Sequence, residues 1–303
     1  MTTRKLRITV AWRPGGAGQE NLTFAAWLAQ TCRVEIQFVA IIARGWPLTS
    51  LARTSDTDSW VQELTKSTRK HILKAAKHAG LRKGALADEP VLIYESTSEA
   101  AEICRAAEDF NADLIVLGSH HNAPEGHFRA GSAADAMLHY SPKPLAVVPG
   151  TPHLSKRGVT RVTCSYIDTP QSHIALEKAA DLARAWEVPL RLVAFTPSGA
   201  SMYPDAGHFG TADDLMVEWH EQAMGLLDRG RDRAQTRHPD LRIHTEVGSG
   251  NGWEGAVASV KWKKGDLMVL GSSTLGPFGR VFIGSSTNQL LRYLTVPTLI
   301  TPA

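Results

Sequence analysis

Asp113-Leu114-Ile115-Val116-Leu117-Gly118-Ser119 and Asp266-Leu267-Met268-Val269-Leu270-Gly271-Ser272 are near copies of one another, 153 positions apart. The same offset carries Pro124 onto Pro277, Gly126 onto Gly279, Gly131-Ser132 onto Gly284-Ser285 and Pro144 onto Pro297. Between 112–148 and 265–301, 13 of 37 positions are identical without a gap, far more than two unrelated α/β segments would share. Upstream, Arg7-Ile8-Thr9-Val10-Ala11-Trp12 matches Arg161-Val162-Thr163-Cys164-Ser165-Tyr166. Self-similarity on this scale means two copies of one folding unit. A domain takes roughly 100–200 residues, so 303 residues hold two. The expected domains are 1–152 and 158–303. Residues 149–158, rich in Pro, Gly and Ser, read as the linker between them.

Within each half the hydrophobic period alternates. In the first, 6–12, 34–42, 91–94, 114–117 and 145–148 are short apolar runs, while 22–31, 60–79, 98–109 and 133–140 carry helical spacing. In the second, the runs at 162–167, 190–195, 242–247, 267–270 and 298–301 alternate with helical stretches at 173–186, 213–229, 253–262 and 286–293. Strands alternating with helices predict right-handed crossovers and a mostly parallel sheet covered on both faces. The near-continuous apolar strands agree with burial from both sides.

Composition excludes several classes. There are 33 basic and 30 acidic side chains, spread evenly over the two halves, so no nucleic-acid-binding partner is expected. No stretch approaches the roughly 18 apolar residues of a membrane span, and the first residues lack the apolar core of a secretory signal. Membranes are therefore not expected partners, and the expected location is cytoplasmic. Cys32, Cys104 and Cys164 are few and far apart, and read as buried, reduced thiols. Gly16-Ala17-Gly18 lacks the third glycine and the acid of a dinucleotide fingerprint. His120, His121 and His127 share one loop with only Glu125 as a further ligand, so no metal site is expected there.

In open parallel sheets, ligands bind beyond the carboxyl ends of the strands. The loop after the fourth run of the second half ends in Gly284-Ser285-Ser286-Thr287 at the start of a helix. Glycine lets backbone amides approach an anion, a helix N-terminus favours negative charge, and hydroxyls add donors. The same groups also cap helices, and local chemistry leaves both roles open.

The spacing of Gly271, Thr274 and Gly284, followed by Ser285 and repeated in degenerate form in the first half, resembles the nucleotide loop of the universal stress protein family. The chain looks like a tandem pair of such domains. The resemblance implies two five-stranded, three-layer, Rossmann-like domains of the adenine nucleotide alpha hydrolase-like kind. It implies strand order 3-2-1-4-5 and antiparallel pairing of the two last strands into a pseudo-dimer, with a further homodimer open. It implies an adenine nucleotide as ligand, ATP with Mg2+, in the second half. The implied ligand set is Asp168, Thr169, Phe195, Gly271, Ser272, Thr274, Arg280, Gly284, Ser285, Ser286 and Thr287. Asp168 would hold the nucleoside part, and its other reading is a turn former before Pro170. Arg280 would neutralise phosphate, or else stand as a solvated loop cation.

The family's middle glycine is Thr274 in the second half and His121 in the first. The first half offers only Gly118, His121, Gly131 and Ser132, and has Arg13-Pro14 where the acid should stand. A filled or reshaped first site is expected, with His121 filling it. No general base is evident, so any ATP hydrolysis would be slow. The competing function is an interaction scaffold that binds no nucleotide. Trp219, Trp253 and Trp262 read as core, 248–250 as the loop after the third strand, and the Arg229–Arg237 run as a solvated helix face. The stretches 43–58 and 196–211 read as partial lids.

Overall fold

The computed structural model describes residues 4–13, 19–43, 55–198, 212–272, 280–281 and 283–302. The first half runs β1 (Leu6–Trp12), α1 (Gln19–Thr31), β2 (Val34–Ala43), α2 (Ser55–His78), β3 (Leu86–Ser96), α3 (Glu99–Asp109), β4 (Leu114–Gly118), α4 (Ser132–Tyr140) and β5 (Leu145–Val148). The second runs β6 (Arg161–Ser165), α5 (Pro170–Ala185), β7 (Leu190–Ser198), α6 (Ala212–Arg237), β8 (Ile243–Asn251), α7 (Gly252–Ser259), β9 (Asp266–Gly271), α8 (Ser285–Tyr293) and β10 (Thr298–Thr301).

All described strands belong to one ten-stranded sheet in the order β3-β2-β1-β4-β5-β10-β9-β6-β7-β8. Each half is a 3-2-1-4-5 parallel sheet. The halves join through antiparallel pairing of β5 with β10, with Leu145 opposite Ile300, Ala146 opposite Leu299 and Val147 opposite Thr298. Both strands are buried along their whole length, and neither is left as an open edge.

Strand alternation divides the core by face. Leu114 and Val116 of β4 point to the side covered by α1, α2, α5 and α6, and Ile115 and Leu117 to the side covered by α3, α4, α7 and α8. Each of these two cores runs without interruption from one half into the other. The three-layer arrangement is thus one object rather than two beads.

Several element ends differ from the sequence expectation for identifiable reasons. β3 extends past Pro90 because it is an outer strand, where a missing donor is tolerated. Its pairing with β2 shifts register between Ile36 and Phe38. β8 continues through 248–250, which are strand and not loop, in register with Phe195, Thr196 and Pro197 of β7. Those glycines exist for packing: a Cβ on Gly248 would sit 2.7 Å from the Ala256 carbonyl oxygen, and one on Gly250 2.5 Å from the Gly255 carbonyl carbon. The Arg229–Arg237 run is not merely solvated. Arg233 pairs with Glu177 and Arg237 with Asp181, tying α6 to α5. Of the three free thiols only Cys164 is fully buried, and Cys32 and Cys104 are half-buried. No described helix is long and apolar enough to cross a membrane. The proposed lids fall largely outside the described residues.

One buried polar cluster anchors the second half. Asp266 is fully buried and receives Arg161 Nε at 2.7 Å and Nη2 at 2.6 Å, together with the Lys263 amide at 2.9 Å. Arg191, also buried, donates to the same carboxylate at 3.4 Å and to Glu246 at 2.8 Å, with its guanidinium over the Trp262 ring. Removing the shared carboxylate leaves Arg161 without an acidic partner among the described residues and Arg191 with Glu246 alone. Asp266→Ala is expected to lower stability by about 3–5 kcal/mol, and Arg191→Met by less, because Arg161 still neutralises Asp266. Urea unfolding of both variants checks the ranking.

Candidate functional site

At the carboxyl ends of β6 and β9 the second half opens a cavity of about 610 Å³. Gly271 ends β9 where α5 begins; a Cβ there would meet the Gln171 carbonyl oxygen at 2.7 Å. Gly284 is the N-cap of α8, and among the described residues no side chain caps that helix. Its first amides are therefore left as orphan donors. Gly284, Ser285, Ser286 and Thr287 line the cavity with Gly271, Ser272, Thr169 and Phe195, so eight of the sequence candidates meet in one place. Thr169 has a second duty. It is the N-cap of α5 in a reciprocal box with Ser172, at the Pro170 start that extends this helix beyond the expected 173–186.

Part of the lining is aromatic. Trp219 of α6 and Trp253 of α7 contribute to it with Phe195, whose ring centroid is 6.4 Å from that of Trp253. The core reading holds for Trp262, which donates to the Val257 carbonyl, and is incomplete for the other two. Their signal was position: Trp253 follows Gly252, whose φ of +62° turns the chain from β8 into α7. No Asp, Glu, His, Lys or Arg is among the described lining residues. A ligand here meets aromatic and aliphatic side chains together with hydroxyls and a helix N-terminus.

Two candidates lie elsewhere. Asp168 adopts φ +57° and turns its carboxylate toward α5 and α6. It accepts from Tyr166 Oη, His173 Nε2 and Arg229 Nε, each at 2.9 Å. These bonds, His173 first and then Arg229, hold its pKa down to about 2. Burial, with the bond to Asp168, pushes Tyr166 up to about 12. Arg280 is turned to the first half, where it donates to the Tyr140 carbonyl at 3.2 Å and lies over the Tyr140 ring. The adjoining backbone follows it, with Val281 donating to Ser141 and Ile283 to Leu138. Thr274 lies outside the described residues.

The corresponding space in the first half is about 40 Å³. Gly118 there faces Glu20 and Asn21, with Glu20 Oε1 only 2.3 Å from where a Cβ would sit. Arg13 and His120 crowd Gly131, the N-cap of α4. His120 is the residue that closes in. His121 and Ser132 are exposed, and His121 rests its ring on His120 with centroids 4.1 Å apart. Partial burial and the neighbouring His121, Arg13 and Arg129 charges hold the His120 pKa below its ordinary value. The Arg13 guanidinium thus stands beside the helix end, with His120 pushed toward its neutral form.

The Asp168 carboxyl is expected to titrate near pH 2 in the folded protein, followed by carbon-13 NMR. Because its pKa is depressed on folding, its contribution to stability is present above the ordinary carboxyl range of about 4 and lost as pH falls through 2. Arg229→Met should move the titration upward.

Comparison with known proteins agrees with this architecture. The family model described as the universal stress protein family matches residues 6–149 and again 160–302. A universal stress protein of Mycobacterium tuberculosis H37Rv is 28% identical over 301 residues, covering 98% of this chain and 100% of that protein. Another from Mycolicibacterium smegmatis is 24% identical over 190 residues, 63% of this chain and 62% of that one. Among solved structures, a universal stress protein from Archaeoglobus fulgidus superposes with a TM-score of 0.62 at 18% identity, covering 97% of this chain and 98% of that one. A functionally unknown protein from Pseudomonas aeruginosa gives 0.53 at 13% identity, covering 98% and 92%. With both halves matched nearly end to end, the chain belongs to the universal stress protein family and carries two of its domains in tandem.

Proposed function

We propose that the protein is a stress-response regulator that binds one adenine nucleotide, ATP, in its second half. The observation that carries this reading is the 610 Å³ cavity whose described lining joins the Phe195, Trp219 and Trp253 rings to the uncapped start of α8. A base can lie against the rings, where stacking contributes about 1–3 kcal/mol. Phosphates can take the amides and hydroxyls of 284–287. Thr169, Ser165 and Thr196 also line the cavity and offer hydroxyls to a ribose. Asp168 is a positioning residue in this reading, fixing the β6–α5 turn from behind. Mg2+ would take its ligands from the phosphates, water and nearby hydroxyls, since the described lining holds no carboxylate. Without a base or a cationic clamp in that lining, the protein acts as a nucleotide sensor, and turnover is slow.

The first half supports a different role. Its site is filled by Arg13, Glu20, Asn21 and His120, and it serves as the structural partner of the binding half.

Isothermal titration with ATP and Mg2+ should give one site per chain. Gly284→Trp should abolish it, and Trp253→Ala should weaken it roughly tenfold. Asp168→Asn should change affinity less than about twofold, because the carboxylate faces away. Equal heats from wild type and Gly284→Trp, or two equivalent sites per chain, would overturn the assignment.

A further inference from the structure

A second chamber, of about 460 Å³, lies between the C-terminal halves of α1 and α5 and shares no described lining residue with the cavity at the start of α8. Its size is that of an ordinary ligand pocket. The chamber straddles the pseudo-two-fold relation between the halves. Leu114 and Leu267, equivalent residues of the repeat, line it together with Leu299 of β10. Phe24 and Leu28 of α1 lie beneath, almost fully buried, and the half-buried Leu6, Leu182 and Trp186 complete an apolar floor. The two helices converge here: Cys32, just past α1, and Trp186, just past α5, both line the chamber. The linker closes the same end, with the Val159 amide on Thr31 Oγ1 at 2.8 Å.

The rim has the opposite character. Arg4, Lys5, Arg33 and Lys178 stand around it and are exposed. The single acid among the described lining residues, Asp113, is already engaged by the Arg4 guanidinium and by the Arg7 amide at 2.9 Å. The Arg33 and Lys178 side chains have no ion-pair or hydrogen-bond partner among the described residues. An apolar floor under unpaired cations selects for one kind of molecule. A neutral apolar ligand would leave the cations unused. A nucleotide would set its sugar and base edges on leucine side chains that offer no hydrogen-bond partner. We infer that this chamber binds a free amphiphilic carboxylate, an alkyl chain laid on the leucine floor with its anionic head on Arg33 and Lys178. Bound there, it would bridge the two halves at their junction.

Laurate below its micellar concentration is the probe, titrated calorimetrically into the full chain. The expected result is one laurate per chain. Binding should be roughly tenfold weaker in the Arg33→Glu/Lys178→Glu variant, where the head group meets repulsion. Ala185→Trp at the rim should block it, while ATP binding stays unchanged in both variants. Dodecyltrimethylammonium, with the charge reversed, should bind more weakly than laurate. The inference is overturned if wild type gives no heat with laurate, if the charge-reversed variant binds it equally, or if ATP displaces it. It is also overturned if the protein floats with anionic phospholipid vesicles while monomeric laurate gives no heat. Unfolding midpoints of both variants separate this from a helix-end role of the cations, in which stability falls and laurate binding does not change.

Discussion

Four residues on each side, 145–148 and 298–301, carry the structure. Their antiparallel pairing turns two five-stranded sheets into one and lets both hydrophobic cores pass from half to half. A parallel sheet covered on both faces still ends in strands with unpaired backbone groups, and a buried unpaired group is costly. Here the two inner ends satisfy one another. Because β5 and β10 run in opposite directions, so do the two parallel sheets, and their carboxyl ends point in opposite directions. The position of every ligand-facing loop follows from that one junction.

The fold was legible because the repeated strands are short, apolar and bounded by glycine and proline. The β4 run and its copy in β9 display side chains to two buried faces, which leaves a mark in sequence that no single-sided strand would leave. The ends of elements were less legible. Gln19-Glu20 opens α1 with polar side chains that carry no apolar period, and Gly248 and Gly250 look like loop residues until α7 is seen crossing them at van der Waals distance.

The site divided in the same way. Gly271, Gly284 and the hydroxyls after it are local features of one loop and one helix start, and sequence spacing identifies such features well. The direction of the Asp168 carboxylate is not local. It is set by Arg229, 61 positions away, and by a left-handed backbone angle that the sequence does not announce. The same holds for Arg280, whose partner Tyr140 lies in the other half. Trp219 and Trp253 come from two helices and meet only once β7 and β8 have paired.

The contrast between a 610 Å³ cavity and a 40 Å³ remnant has a bearing on why two such units share one polypeptide. In an assembly of identical subunits every substitution is made twice, so the changes that close one pocket necessarily close its mate. Covalent fusion lifts that constraint: one copy can trade its pocket for rigidity and still sit permanently against a sister that has kept hers. Reading a signal at half occupancy, with no second ligand to compete or cooperate, is an arrangement available to a fused pair and denied to a symmetric one.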